Sequence, residues 1–277
     1  MIFTTKEHLP TLGVGLSFRP EIAVGIYEHV HELDFMEVIV DNELGGALDA
    51  KFWDTVVPAL PLLAHGVNTS VGSLEPLDEA YLAKAANVAR RLDCQWFSEH
   101  LAFTHCDDVE IGQLIPVQFS EENMAFIAGK IRAASRALGV PMLIENIAYY
   151  FTIPGSTLSE IDFILRILET ARCGLLLDIH NLYANSINHD FDPYTFIDRV
   201  PAEAVVEIHV AGGAWYEGMY VDTHGHAISE EVLALVDYAL ATKQPRAIVL
   251  EREKNFPPMP LLLGEIRELR RLWSRHL

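Results

Sequence analysis

Thiols are scarce in this sequence. There are three cysteines among 277 residues, Cys94, Cys106 and Cys173, an odd number with no C-x-x-C spacing. That excludes a disulfide framework and leaves a reducing cytoplasm as the simplest setting. Basic residues are also few, 20 against 39 acidic, for a formal net charge of −19. A nucleic-acid-binding surface would be basic, so nucleic acid is not an expected partner. No apolar stretch reaches the roughly 20 residues of a membrane span. The segment from Met1 to Pro10 carries Lys6, Glu7 and His8 without an apolar run, so no signal peptide is visible. Also absent are a G-x-G-x-x-G phosphate turn, an internal repeat, a low-complexity segment and any linker that would set off a second domain.

Apolar residues, by contrast, make up 50% of the chain, enough for a large core. They come in short runs alternating with amphipathic segments. Strands are expected at residues 12–16, 35–40, 62–67, 94–101, 142–146, 174–178, 204–210 and 247–251. Helices are expected at 20–33, 52–60, 78–92, from Ser120 to Gly139, at 159–172, 192–200 and 229–242, and from Pro258 onward. A longer excursion, 103–119, follows the fourth strand. Eight strands alternating with eight helical segments predict an α/β fold, a (β/α)8 TIM barrel formed by residues 1–277 as a single domain. A doubly wound open sheet is the alternative, but it would need fewer strands and the missing phosphate turn.

The segment Gly174-Leu-Leu-Leu-Asp-Ile-His-Asn181 contradicts itself chemically. Three leucines read as a strand buried on both faces, yet the strand runs into Asp178, His180 and Asn181. A carboxylate at the end of a buried strand is costly unless a cation neutralises it. The pattern recurs at the other strand ends, as His65, His100, Glu145, His209 and Glu251, and Asp222-Thr-His224-Gly-His226 adds an Asp-x-His pair on the loop after strand seven. In a barrel these ends converge on one mouth, where active sites lie. With no Lys or Arg among them, the acids call for metal ions. Imidazole and carboxylate without thiolate suit Zn, Fe or Mn. The donors outnumber what one ion takes, so two or three ions are expected, with Glu145 a plausible bridge.

Other features have plainer readings. Gly13 and Gly15 fit a tight barrel strand better than a phosphate loop. Tyr149-Tyr150-Phe151 fits rim packing as well as a substrate groove, and Arg90-Arg91 and Arg267 to Arg271 read as solvated helix faces. Cys106 reads as a bystander more than a reactive thiol.

In combination these motifs resemble the multinuclear non-heme iron-dependent oxidative enzymes, the family of the methanobactin-biosynthesis oxygenase. The matching segments are His65-Gly-Val-Asn-Thr-Ser-Val-Gly-Ser73, Ser98-Glu-His-Leu-Ala-Phe103, Ile144-Glu-Asn146, Leu177-Asp-Ile-His-Asn181, Asn188-His-Asp-Phe-Asp-Pro193, Glu207-Ile-His-Val-Ala-Gly212, Asp222-Thr-His224 and Leu250-Glu251, in order over most of the chain. The resemblance implies a xylose-isomerase-like barrel, two or three Fe ions, and O2-dependent modification of cysteines in a ribosomally made precursor peptide, with a small peptide-binding partner protein. It implies metal ligands at His65, His100, Glu145, Asp178, His209, Asp222, His224 and Glu251, with Asn181 or His180 completing a third site. The chain departs from the common family form at His180, where Asn is usual, at Asp41-Asn42 in place of Glu-Asn, and at Glu251-Arg-Glu253 in place of Glu-Trp-Asp. Rival readings on the same kind of barrel are a divalent-metal sugar isomerase or epimerase and an endonuclease IV-like zinc phosphodiesterase. A metal-holding assembly protein is the non-enzymatic alternative. The acidic balance weighs against the phosphodiesterase, whose DNA substrate it would repel.

Overall fold

A strand buried on both faces needs partners on either side and cover above and below, and the short apolar runs of this chain meet that need by closing into a ring. The computed structural model describes residues 6–106 and 109–276, so the reading of Met1 to Pro10 as free of a signal peptide lies outside the described residues for 1–5. Twelve strands are described: β1 (Gly13–Ser17), β2 (Met36–Ile39), β3 (Leu62–Gly66), β4 (Phe97–His100), β5 (Ala102–Cys106), β6 (Val109–Pro116), β7 (Met142–Glu145), β8 (Gly174–Asp178), β9 (Val205–Val210), β10 (Ala214–Tyr216), β11 (Met219–Val221) and β12 (Ala247–Leu250). Eight form a closed parallel barrel in the order β1-β12-β9-β8-β7-β4-β3-β2, as the alternation of strand and helix predicts. The register sets His65 beside Ser98, His100 beside Glu145, and Asp178 beside His209.

Among the described residues, ten α-helices surround or cap the barrel: α1 (Ala23–His29), α2 (Val40–Leu44), α3 (Ala50–Thr55), α4 (Glu79–Arg91), α5 (Glu121–Leu138), α6 (Glu160–Ala171), α7 (Ile179–His189), α8 (Pro193–Arg199), α9 (Glu230–Lys243) and α10 (Met259–His276). Helix α6 shows how the sequence specifies them. Ser159 caps it by accepting from the Asp162 N–H, and Arg172 closes it in the left-handed region. Ile161, Ile164, Leu168 and Ala171 recur at three- and four-residue steps and are buried, with Phe163 and Ile167 beside them.

The main core lies between strands and helices. A second cluster, with Phe35, Leu63, Trp96, Leu143, Leu176 and Val249 all fully buried, includes the inward residues one pleat below the polar strand ends. Trp96 hands its indole N–H to Glu207 at 2.8 Å. Gly15 is needed where β1 meets β2, because a Cβ there would stand 2.7 Å from the Phe35 carbonyl oxygen. That supports a tight strand rather than a phosphate loop.

Several predicted boundaries need correction. The expected helix at 20–33 is broken into α1 with a 3-10 turn at each end, and 52–60 is the shorter α3, capped by Asp49. Strand β2 stops at Ile39, and Val40 already opens α2. The excursion at 103–119 is an antiparallel hairpin, β5 with β6. A second hairpin, β10 with β11, and the whole of α7 were not expected at all. Helix α7 is rich in Asn, His and Ser, all mediocre helix formers. It is held instead by burial of Ile179, Leu182, Ala184, Asn185 and Ser186. Among the described residues, no helix is long and apolar enough to cross a membrane.

Candidate metal centre

Strand alternation turns the last inward residue of each barrel strand toward the axis, and parallel strands place all these ends at one mouth. His65, Glu145, Asp178, His209 and Glu251 are all buried there, with His100 nearly so. His65 Nε2 lies 3.3 Å from His100 Nε2, and each of these nitrogens lies 3.4 Å from Glu145 Oε2. Donors around one ion at bond lengths of about 2.0–2.1 Å stand roughly 3.0–3.4 Å apart, so this triangle has the dimensions of half a coordination shell. The other Glu145 oxygen faces a second group, 3.8 Å from His209 Nδ1. Glu145, Asp178, His209 and Glu251 can bring one donor atom each within 4.8 Å of one another. Glu145 thus faces both groups, one oxygen toward each.

A third group stands beside the second. His180 Nε2 lies 3.4 Å from Asp222 Oδ1, and His224 Nε2 lies 2.8 Å from the same oxygen. Glu251 Oε2 connects the groups, 3.1 Å from His209 Nδ1 and 3.5 Å from His224 Nδ1. His180 is fully buried under Gly213, where any Cβ would meet the imidazole ring at 2.8 Å. His224 holds a left-handed backbone, φ 46°, rare for a residue with a side chain. Nine of the ten residues predicted as ligands thus approach one another through their side chains, and the tenth, Asn181, adjoins them through its N–H to Asp178 and lines the same cavity. Neighbouring Glu253 joins His224 and Glu251 in a further cluster.

The arrangement leaves its polar atoms unpaired. Among the described residues, most buried side-chain nitrogens and oxygens without a hydrogen-bond partner lie here: Glu145 Oε2, Asp178 Oδ2, Asn181 Oδ1, His209 Nδ1, Asp222 Oδ1 and both nitrogens of His180 and His224. Each such atom costs about 1–3 kcal/mol, and this many in one place need a common partner. Short approaches without hydrogen-bond geometry, such as His224 to Asp222, fit lone pairs aimed at ions rather than at each other.

Supporting groups hold the donors. His65 Nδ1 pairs with Ser98 Oγ at 2.8 Å, and the His100 Nδ1–H donates to the Gly66 carbonyl at 3.2 Å, leaving both Nε2 atoms to the centre. Asp178 accepts from the Asn181 N–H at 2.6 Å, capping α7 with one oxygen and leaving the other free. Asn146 receives the Asp178 N–H and donates to the Asp178 carbonyl, both at 2.9 Å. Arg19 corrects the expectation that no basic residue neighbours the acids. Buried at the end of β1, it stands 3.7 Å from Glu251 and 2.9 Å from Glu253. One arginine against Glu145, Asp178, Asp222, Glu251 and Glu253 leaves the negative charge in excess.

Without an ion, protons fill part of that role. Burial raises Glu145 to about 7 and Asp178 well above the carboxylate range. Burial lowers His180 to about 4 and takes His65 well below its usual value. His209 and His224 go the other way: burial opposes their charge, but Glu37 and Glu251 beside the first, and Asp222 and Glu251 beside the second, prevail. Metal uptake must expel these protons, so affinity should weaken as pH falls through about 7, where Glu145 takes up its proton. Binding calorimetry in buffers of different ionisation heat measures the release; binding without proton release near neutral pH would contradict it.

The donors floor a cavity of about 580 Å³. Its walls include Asn42, Asn68, Thr104 and Tyr150, Glu110, Gly112, Gln113 and Leu114 of β6, and Arg19 and Lys254 as the cations. Tyr150 is fixed by accepting from the Asp222 N–H at 3.1 Å, so it lines the mouth, whereas Tyr149 packs on Phe119 and His189. Arg91 lies over Trp53 and pairs with Glu43, a surface role. Cys94 and Cys173 are buried, with burial pushing the Cys173 thiol to about 12, and Cys106 is exposed on β5.

Comparison with solved structures gives xylose-isomerase-like TIM barrels. A xylose isomerase domain protein from Planctomyces limnophilus superposes with TM-score 0.61 at 14% identity over 96% of this chain and 99% of its own. The TTHB071 protein of Thermus thermophilus, from a crystal soaked with ZnCl2, gives 0.55 at 19% identity over 92% and 97%. These likenesses concern the fold. In sequence, the UPF0276 protein of Caulobacter vibrioides is 34% identical over 96% of this chain and 95% of its own length. The UPF0276 protein PA3283 of Pseudomonas aeruginosa is 34% identical over 98% and 95%. The profile of the RiPP precursor modification enzymes MbnB/TglH/ChrH matches residues 13–274, from the first barrel strand into the last helix, and it is to this enzyme family that the chain belongs.

Proposed function

We propose that the chain is a multinuclear iron enzyme that uses O2 to modify cysteine residues of a ribosomally synthesised precursor peptide, working with a small peptide-binding partner protein. The observation that carries this reading is the cluster of buried, unpaired imidazole and carboxylate atoms in adjoining groups around Glu145 and Glu251, with His180 and His224 both facing Asp222 beside them. Membership of a family of precursor-peptide modification enzymes supplies the substrate class.

His65, His100 and Glu145 would hold one ion, Glu145, Asp178, His209 and Glu251 a second, and His180 or Asn181 with Asp222 and His224 a third. Such ions, when bound, supply a place for a substrate thiolate and the electrons that activate O2. The rest falls to the chain. The apolar plug of Phe35, Leu63, Trp96, Leu143 and Leu176 fills the barrel below the donors, and the cavity at the mouth opens onto them from the other side. Ser98, Gly66 and Asn146 fix donor orientation before anything binds, which removes reorganisation from the reaction itself. Arg19 tempers the acidity beside Glu251. A cavity of about 580 Å³ admits a side chain and its neighbouring backbone, leaving the remainder of a peptide to the rim and the partner.

The same donors would accept zinc, so the test must separate the metals. Protein purified anaerobically from iron-replete cells should contain two or three iron atoms per chain, by elemental analysis and Mössbauer spectroscopy. With a gene-adjacent Cys-containing peptide and its small neighbour protein, it should consume O2 and change the peptide mass. Near-stoichiometric zinc supporting full activity, with iron inert, would refute the oxidative reading. Full modification without the neighbour protein would refute the partner.

A further inference from the structure

Among His65, His100 and His209, His209 is the one whose nearest outer contact is a carboxylate. It is fully buried on β9, and its two ring nitrogens face opposite ways. Nδ1 looks toward Glu251 at 3.1 Å and Glu145 at 3.8 Å, while Nε2 lies 3.1 Å from Oε2 of Glu37. Glu37 stands on β2, fully buried in the barrel interior. We propose that Glu37 is a positioning residue for the centre: it accepts the Nε2–H of His209, fixes the tautomer that presents the Nδ1 lone pair to the ions, and makes that imidazole a stronger donor. The assignment rests on the reading of the centre as metal-binding.

The geometry separates Glu37 from its neighbour Glu207. Glu207 Oε1 is 4.0 Å from the same nitrogen, beyond hydrogen-bond reach, and its other oxygen is taken by the Trp96 indole. His65 is held from outside by the neutral Ser98 hydroxyl, and His100 by the Gly66 carbonyl at 3.2 Å, with a Glu99 carboxylate oxygen farther off, 3.4 Å from the same nitrogen. His209 is instead held by a carboxylate, which withdraws the ring proton more strongly and raises ligand basicity. Oε1 of Glu37 has no hydrogen-bond partner, and Glu37, His65 and His209 can bring donor atoms within 4.8 Å of one another. The competing role for Glu37 is therefore that of a ligand, and stoichiometry tells the two apart.

The experiment loads Co2+ into wild-type protein and into Glu37→Gln, Glu37→Leu and Glu207→Gln variants. It measures ions bound at saturation, affinity by chelator competition, and the paramagnetically shifted exchangeable imidazole N–H resonances. All four should bind the same number of ions at saturation. Affinity should fall roughly 10- to 100-fold in Glu37→Leu, less in Glu37→Gln, which keeps an acceptor oxygen, and about twofold or less in Glu207→Gln. The slowly exchanging N–H signal assigned to His209 should vanish in Glu37→Leu and persist in Glu207→Gln, a difference that packing alone would not produce. Should Glu37→Leu fail to fold, the graded losses in Glu37→Gln and Glu207→Gln carry the comparison. Wild-type affinity and resonances in the Glu37 variants would overturn the assignment while leaving the metal reading intact. One ion fewer at saturation would make Glu37 a ligand and overturn it too. A wild-type chain that takes up no Co2+ would remove the metal reading itself, and this assignment with it.

Discussion

Glu145→Gln should abolish turnover and leave the protein short of more than one ion. One carboxylate oxygen stands 3.4 Å from both His65 and His100, and the other faces His209, so two groups of donors share this side chain. Gln keeps the volume but offers one neutral oxygen in place of two charged ones, and the amide nitrogen that replaces the other cannot ligate. The loss should exceed the roughly 100-fold upper range for removing an outer partner, because a shared ligand is removed instead. Burial already lifts Glu145 to about 7, so the metal-free variant exchanges a half-protonated acid for an isosteric amide and should fold normally. Elemental analysis beside single-turnover assays tests both halves. A Glu145→Gln protein with full metal and even roughly a tenth of wild-type activity would show that this residue is no bridge.

Asp178 should separate metal binding from folding when two substitutions are compared. The side chain does two things: one oxygen caps α7 through the Asn181 N–H, and the other lies buried without a partner. Asp178→Asn retains a capping oxygen and matches the protonated acid that burial favours in the metal-free chain. Its metal-free thermal midpoint should stay near wild type, while the stabilisation that added metal confers is largely lost. Asp178→Ala loses the cap as well, costing about 1 kcal/mol. For a domain of this size that should lower the metal-free midpoint by about 2–4 °C. Calorimetry with and without metal reads both effects. Full metal content and turnover in Asp178→Asn would show that Asp178 is no ligand.

The sequence alone determined the barrel and pointed to most of the polar residues that gather at its mouth. Both follow from short-range rules: strand side chains alternate, so Leu177 and Asp178 cannot share a face, and a buried apolar run ending in His or Glu declares an inward polar end. Eight such runs separated by helices have few ways to close. Helix α7 escaped because burial, not propensity, holds it, and with it went the fact that His180 and Asn181 ride on its first turn. Glu37 did carry a signal, an acid inside the apolar run Met36-Glu-Val-Ile, but only the ring closure puts it 3.1 Å from a histidine 172 positions away. Arg19 gave none, since its partners Glu251 and Glu253 lie at the far end of the chain. The grouping of donors was likewise decided by tertiary structure. Which histidines face which oxygen of Glu145 depends on strand stagger and barrel tilt, distances that no linear spacing contains.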